Sequence, residues 1–180
     1  MCFTETNVRR ITEITRIESF HTKWRDIHKE TEHGLAICYN NENMILIQEL
    51  DINYDLEATA CIFKNSQSHE KFIILLIYRK NTTNIQNFFQ QLYLQLSEFA
   101  SYKLRIILLG DFNFDPWKNK NNLKYSPVKK AFNLHMQSNF ATHICAGVLD
   151  LIFDTDSQRQ HALEWLPTPF SDHFIIFYGL

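Results

Sequence analysis

"KFIILLIYRKNTTNIQNFFQQLYLQLSEFASYKLRIILLGDFNFD", residues 71–115, holds two runs free of polar residues, FIILLIY and IILL, separated by a stretch of different period. A short run that is apolar at every position reads as a strand covered on both faces. Between the runs, Ile85, Phe88, Phe89, Leu92, Leu96 and Phe99 recur every three or four residues, which places them on one stripe of a helix. Strand, helix and strand of the same apolar kind predict a crossover unit.

Outward from this unit, GLAICY from 34, MILIQEL from 44, EATACIF from 57, VLDLIF from 148 and FIIFY from 174 also read as strands. The segments at 44 and 57 alternate as half-buried antiparallel strands do, so hairpins are expected before the crossover. Ser126 and Pro127 have the form of an N-cap and first helical position, opening a short helix through Val128, Phe132 and Met136. The polar KNKNNLKY at 118–125 reads as a loop. The class is mixed α and β in one domain, since 180 residues at 45% hydrophobic suffice for one core.

Eighteen Lys and Arg stand against 20 Asp and Glu, a net charge of -2, so the chain as a whole does not attract a polyanion and a nucleic-acid partner needs a local basic patch. Cys2, Cys38, Cys61 and Cys145 are far apart with no paired spacing, which argues against a zinc cluster and fits buried thiols in a reducing compartment. The sequence has no run of about 18 apolar residues and no signal-peptide pattern, so a soluble intracellular protein with no membrane partner is expected.

Chemistry gathers where the strands end. Side chains alternate along an extended segment, so Asp111 and Asn113 project the same way just past the IILL strand. A carboxylate there can orient or deprotonate a water, and an amide can donate to an oxyanion. Taken alone, Gly-Asp-x-Asn also makes an ordinary Asx turn. Asp172 and His173 precede the last apolar strand, and Asp150 is the one acid inside GVLDLIF. A carboxylate in a buried strand needs a partner, and His173 is a natural one, to be held in one tautomer and favoured in its protonated form. Tyr78 closes FIILLIY and is followed by Arg79 and Lys80. Glu5 in FTET supplies a hard oxygen of the kind magnesium prefers. His143, beside Gly147, is either a cleft-lining histidine or an ordinary loop residue.

In order, FTET, GLAICY, LIYRKN, LLGDFNFDPW, GVLDLIF and SDHFIIFY resemble the endonuclease/exonuclease/phosphatase superfamily, most nearly the apurinic-like endonuclease domains of non-LTR retrotransposons. The resemblance spans residues 1–180 and implies an α+β, four-layer αββα sandwich. It further implies phosphodiester hydrolysis with Mg²⁺, or Mn²⁺, as cofactor. Glu5 would bind the metal with Asp172 beside it, and Tyr78 would contact the scissile phosphate. Asp111 with Asn113 would position the attacking water, and Asp150 would orient His173. DNA is the implied partner, with RNA, small phosphates or lipids as other substrates of the family, and a catalytically silent sandwich as the non-enzymatic alternative. Lys118, Lys120, Lys124, Lys129 and Lys130 cluster after GDFN and could contact a DNA backbone. The family also implies a nuclear setting and a larger polyprotein. One departure stands out: the family's first core strand, with its metal-binding asparagine, has no counterpart upstream of Glu5, so an N-terminally truncated domain is expected.

Overall fold

The computed structural model describes residues 2–4, 21–25, 34–118, 122–157, 163–167 and 171–179, and Glu5 lies outside them. In chain order the elements are β1 (Cys2–Thr4), β2 (His21–Arg25), β3 (Leu35–Tyr39), β4 (Met44–Leu50), β5 (Glu57–Asn65), β6 (Lys71–Tyr78), α1 (Ile85–Ala100), β7 (Arg105–Asp111), α2 (Asn122–Ala131), β8 (His135–Met136), β9 (Asp150–Asp154), β10 (Leu163–Leu166) and β11 (Ile175–Tyr178).

The strands form a six-stranded sheet β4-β5-β6-β7-β9-β8, a three-stranded sheet β1-β3-β2 and a hairpin β10-β11. Only β6 and β7 pair in parallel among them, and α1 is the crossover between the two, as the change of period predicts. Asn84 caps α1, its side-chain oxygen accepting the N–H groups of Gln86 (2.9 Å) and Asn87 (3.1 Å). The helix buries Phe88, Phe89, Leu92, Leu96 and Phe99 against the sheet.

Strand parity sorts the core into two layers. Ile73, Leu75 and Ile77 of β6 face α1 and α2, with Ile106 and Leu108 of β7 beside them. Phe72, Ile74, Leu76 and Tyr78, with Ile107, face Leu35 and Ile37 of β3 in the other sheet. The result is an α+β sandwich in which the large sheet carries helices on one face and a second sheet on the other. This also corrects the expected alternation of the segment at 57: Ala58 to Phe63 are buried without a break, because β5 lies between β4 and β6 and is covered on both sides.

The second helix differs from expectation too. It starts at Asn122, so part of the 118–125 stretch read as a loop is helical, and Ser126 and Pro127 both sit inside the helix instead of at its start. Tertiary packing accounts for the extra N-terminal turn. The Tyr125 ring contacts Phe89, Phe114 and Phe153 at centroid distances of 6.3, 5.8 and 6.2 Å, and Val128 is buried in the same cluster. Met136 belongs to β8 instead of the helix. Of the thiols, Cys38 and Cys61 are buried, while Cys145 is exposed. Among the described residues no helix is long and apolar enough to cross a membrane.

Candidate active site

β6 and β7 end level with each other, Tyr78 beside Asp111, and β9 returns antiparallel with Asp150 directly opposite Asp111. The parity that sends Ile107 toward the second sheet sends Asp111 the same way, so two carboxylates meet across neighbouring strands at one end of the sandwich. Like charges placed so are destabilising unless a cation lies between them. His173 supplies it: its Nδ1 is 2.8 Å from Asp150 Oδ2. The hydrogen bond to Asp150 outweighs the opposing effect of burial and raises His173 from the usual 6.5 to about 9, with Asp111 and Asp172 adding attraction.

Gly110 lets the two strands approach. Its φ is +140°, and a Cβ there would run into the carbonyl of Ile77 on β6. After it the chain turns sharply, with Asn113 in the left-handed region at φ 45°, a conformation asparagine tolerates better than most residues. The turn makes Asn113 a splint for Asp111. Its backbone N–H donates to Asp111 Oδ1 (2.8 Å), and its side-chain amide donates to Asp111 Oδ2 (3.1 Å) and to the carbonyl of Arg79 (2.9 Å). Both amide hydrogens are thus engaged within the protein, so Asn113 orients the carboxylate and has no spare donor for an oxyanion.

Arg79, read from the sequence as one of two cations at a strand end, is buried and turned inward. It donates to the carbonyls of Phe112 (2.6 Å), Lys80 (3.0 Å), Thr83 (2.8 Å) and Asn113. Burial lowers its pKa and Asp111 opposes that, but a guanidinium keeps its charge in either case.

Asp172 and His173 come from the other side. His143 meets them in a short antiparallel bridge to His173, and His143 Nε2 is 3.0 Å from Asp172 Oδ2. This bond holds the Asp172 carboxyl below its ordinary range. The two imidazoles stand edge to face with centroids 5.0 Å apart. Thr142, fully buried, fixes the start of β9 by accepting the N–H groups of Leu149 (2.9 Å) and Asp150 (3.0 Å) on its hydroxyl oxygen.

Tyr78, Asp111, Asn113, His143, Asp172 and His173 line one cavity of about 600 Å³, together with Lys80, Asn81, Thr82 and Leu149. The structure therefore brings together Tyr78, Asp111, Asn113, Asp150, Asp172 and His173, while Glu5 lies outside the described residues. Sequence reasoning did not find Asn81 and Thr82, nor the pairing of His143 with Asp172. The first two had a signal: parallel strands that end level place the loop after one beside the loop after the other. The expected lysine cluster is less convergent. Lys118 pairs with Asp115 at 3.6 Å, Lys129 and Lys130 lie in the last turn of α2, and Lys120 and the Lys124 side chain are outside the described residues.

The donor set suits a hard divalent cation. Its hard members are the carboxylates of Asp111, Asp150 and Asp172, each with an oxygen within 4.8 Å of a ring nitrogen of His173, the cation of the cluster. Asp172 is the exposed acid of the group, its side chain 59% accessible, and it has room for an ion that keeps most of its waters, as magnesium does.

The sequence matches no family profile and no curated protein. Solved structures, however, share the fold. The endonuclease domain of TRAS1, a telomere-specific non-LTR retrotransposon, superposes with a TM-score of 0.65 at 13% identity, over 91% of this chain and 79% of that one. A mannosyl-6-phosphatase of Bacteroides thetaiotaomicron gives 0.65 at 14% identity, over 89% and 76%. The human Nocturnin catalytic domain with bound sulfate gives 0.60 at 19% identity, over 88% and 73%. A structure described as an endonuclease/exonuclease/phosphatase family protein, also from Bacteroides thetaiotaomicron, gives 0.63 at 15% identity, over 88% and 74%.

Proposed function

We propose that this chain, built on the endonuclease/exonuclease/phosphatase fold, is a metal-dependent phosphodiesterase that nicks DNA. The observation that carries the reading is the wiring at the strand ends: Asp111 and Asp150 face each other across β7 and β9, and His173 is held cationic against Asp150 beside an open cavity.

A phosphodiester repels a nucleophile, so hydrolysis needs a base for the water, a cation at the phosphate and stabilisation of the departing oxygen. Asp111, splinted by Asn113, is placed to take the proton of a water attacking phosphorus as the phosphorus–oxygen bond opposite it breaks. Asp150 keeps His173 in one tautomer, with Nδ1 toward the carboxylate, and the imidazolium attracts a phosphate oxygen. Tyr78 and Lys80 flank the same space and can contact the phosphate. Asp172, with Glu5, would hold Mg²⁺ or Mn²⁺, which when bound neutralises charge building on the phosphate oxygens. DNA is the favoured substrate because the ordered motifs resemble retrotransposon endonucleases and the TRAS1 domain shares the fold. On that reading the chain works in the nucleus as part of a larger polyprotein.

A second reading, hydrolysis of a small phosphate ester, has its own support. The net charge is -2, and Lys80 is the one lysine lining the cavity among the described residues. A phosphatase of a sugar phosphate shares the fold at the same TM-score as TRAS1.

Supercoiled plasmid incubated with the chain in Mg²⁺, in Mn²⁺ and in EDTA tests both. Metal-dependent nicking that Asp111→Asn and His173→Ala each reduce by about 10²–10⁴-fold establishes the nuclease. Phosphate release from small esters without nicking selects the second reading. A folded chain inert toward both substrates leaves a silent sandwich.

A further inference from the structure

His143 occupies a loop tied down at every step. The N–H groups of Thr142 and His143 donate to the Gly147 carbonyl (2.9 and 3.2 Å), and that of Ala146 donates to the His143 carbonyl (2.9 Å). Ile144 N–H donates to the Asp172 carbonyl (2.9 Å) and Phe174 N–H to that of Thr142 (2.8 Å), so 142–144 runs as a short ladder along 172–174. The imidazole is fixed as firmly. The backbone N–H of Cys145 donates to His143 Nδ1 at 3.0 Å, so the ring proton belongs on Nε2, which donates to Asp172 Oδ2 at 3.0 Å. The ring is 16% accessible, against 59% for the carboxylate it holds.

Geometry alone allows two roles for His143, because His143, Asp172 and His173 could converge on one ion. Coordination through Nε2 requires its lone pair, hence a proton on Nδ1. That proton would point at the Cys145 N–H, donor against donor, and the hydrogen bond would be lost. The network therefore selects the other role. We propose that His143 is a positioning residue that presents Nε2–H to Asp172 and orients this exposed carboxylate for the divalent cation.

The inference rests on Asp172 being a metal ligand, as proposed above. A histidine that holds a ligating carboxylate should act on metal affinity more than on chemistry, since loss of such outer partners typically costs about 10–100-fold in affinity. His143→Phe keeps an aromatic ring edge for His173 and removes the donor. His143→Gln restores an N–H donor near the place of Nε2.

Mn²⁺ binding to the chain without substrate, followed by electron paramagnetic resonance, reads the effect directly. His143→Phe should weaken binding by about 10–100-fold, while His143→Gln stays close to the unsubstituted chain and Asp172→Asn loses most of the affinity. At saturating metal the kcat of His143→Phe should return toward the starting value. Unchanged Mn²⁺ affinity in His143→Phe overturns the proposal while leaving Asp172 as a ligand. If Asp172→Asn binds Mn²⁺ as the parent does, the metal reading fails first and takes the proposal with it. Should His143→Phe not fold, nitrogen-15 NMR of the parent chain decides: a proton on Nδ1 overturns the assignment and one on Nε2 upholds it.

Discussion

Asp150 and Asp154 lie on the same strand, four residues apart, facing the same side of the same sheet, yet they end in opposite circumstances. Asp154 is fully buried and saturated. It accepts the guanidinium of Arg105 (3.0 and 3.1 Å from Nε), the hydroxyl of Tyr178 (2.6 Å) and the N–H of Asp156 (2.8 Å). Asp150 has a second acid, Asp111, directly opposite and is bonded to His173, which lines the cavity. One end of the β7-β9 pair is thus a closed ion cluster that ties β11 to the large sheet. The other is an open cluster with more acid than base. The pair teaches that a carboxylate inside an apolar strand signals only that a partner exists; whether its cluster is saturated separates a structural group from a reactive one.

Breaking the closed end should have the largest effect on stability. Asp154→Ala leaves Arg105 charged and buried without its main partner, and chemical denaturation should show a loss of about 3–5 kcal/mol, with activity per folded molecule retained. The open end should behave in the reverse way. Asp150→Asn leaves the imidazole in place and packed but removes the charge that favours its protonated form, so hydrolysis should fall by about 10²–10⁴-fold while stability at neutral pH falls by about 2 kcal/mol, less than for Asp154→Ala.

Titration sharpens the contrast. His173 is raised above 6.5, so its contribution is complete below pH 6.5 and is lost as pH climbs through about 9, a change on the order of 2 kcal/mol once its partial exposure is allowed for. Asp154 shifts the opposite way: burial pushes its pKa up, but the bonds from Arg105, Tyr178 and Asp156 outweigh it, and the net shift is below 3.8. Its contribution is complete above pH 3.8 and lost as pH falls below that. Denaturation measured in EDTA from pH 3 to 10 should therefore show an alkaline decline that Asp150→Asn removes and an acid decline that it does not. The smallest effect belongs to the rim of the closed cluster, where Glu70 stands 3.9 Å from Arg105; Glu70→Gln should stay within about 0.5 kcal/mol.

The crossover and its flanking strands were legible because a change from unbroken apolar runs to three-and-four spacing is a direct image of backbone geometry. Asp111 and Asp150 were legible because an acid among apolar neighbours demands an explanation. The second helix was misjudged because Ser126-Pro127 is a strong local start signal, and nothing local reveals that Tyr125 has an aromatic pocket waiting. β10, residues 163–166, went unread since four residues with three of them exposed carry little pattern. The bond between His143 and Asp172 was invisible for a deeper reason: it joins two irregular segments 29 residues apart, and no periodicity links residues brought together only by the closing of the sandwich.

Arg79 has a consequence for motion. One guanidinium holds carbonyls from the loop after β6, Lys80 and Thr83, and from the loop after β7, Phe112 and Asn113. Neither loop can open without leaving a buried charge short of acceptors, so the two should fluctuate as one unit. In hydrogen-exchange terms the amides of Thr83, Phe112 and Asn113 should lose protection in a single cooperative opening, slower than the fraying expected of surface loops. The cavity wall that these loops form should then keep one shape whether or not a ligand is present.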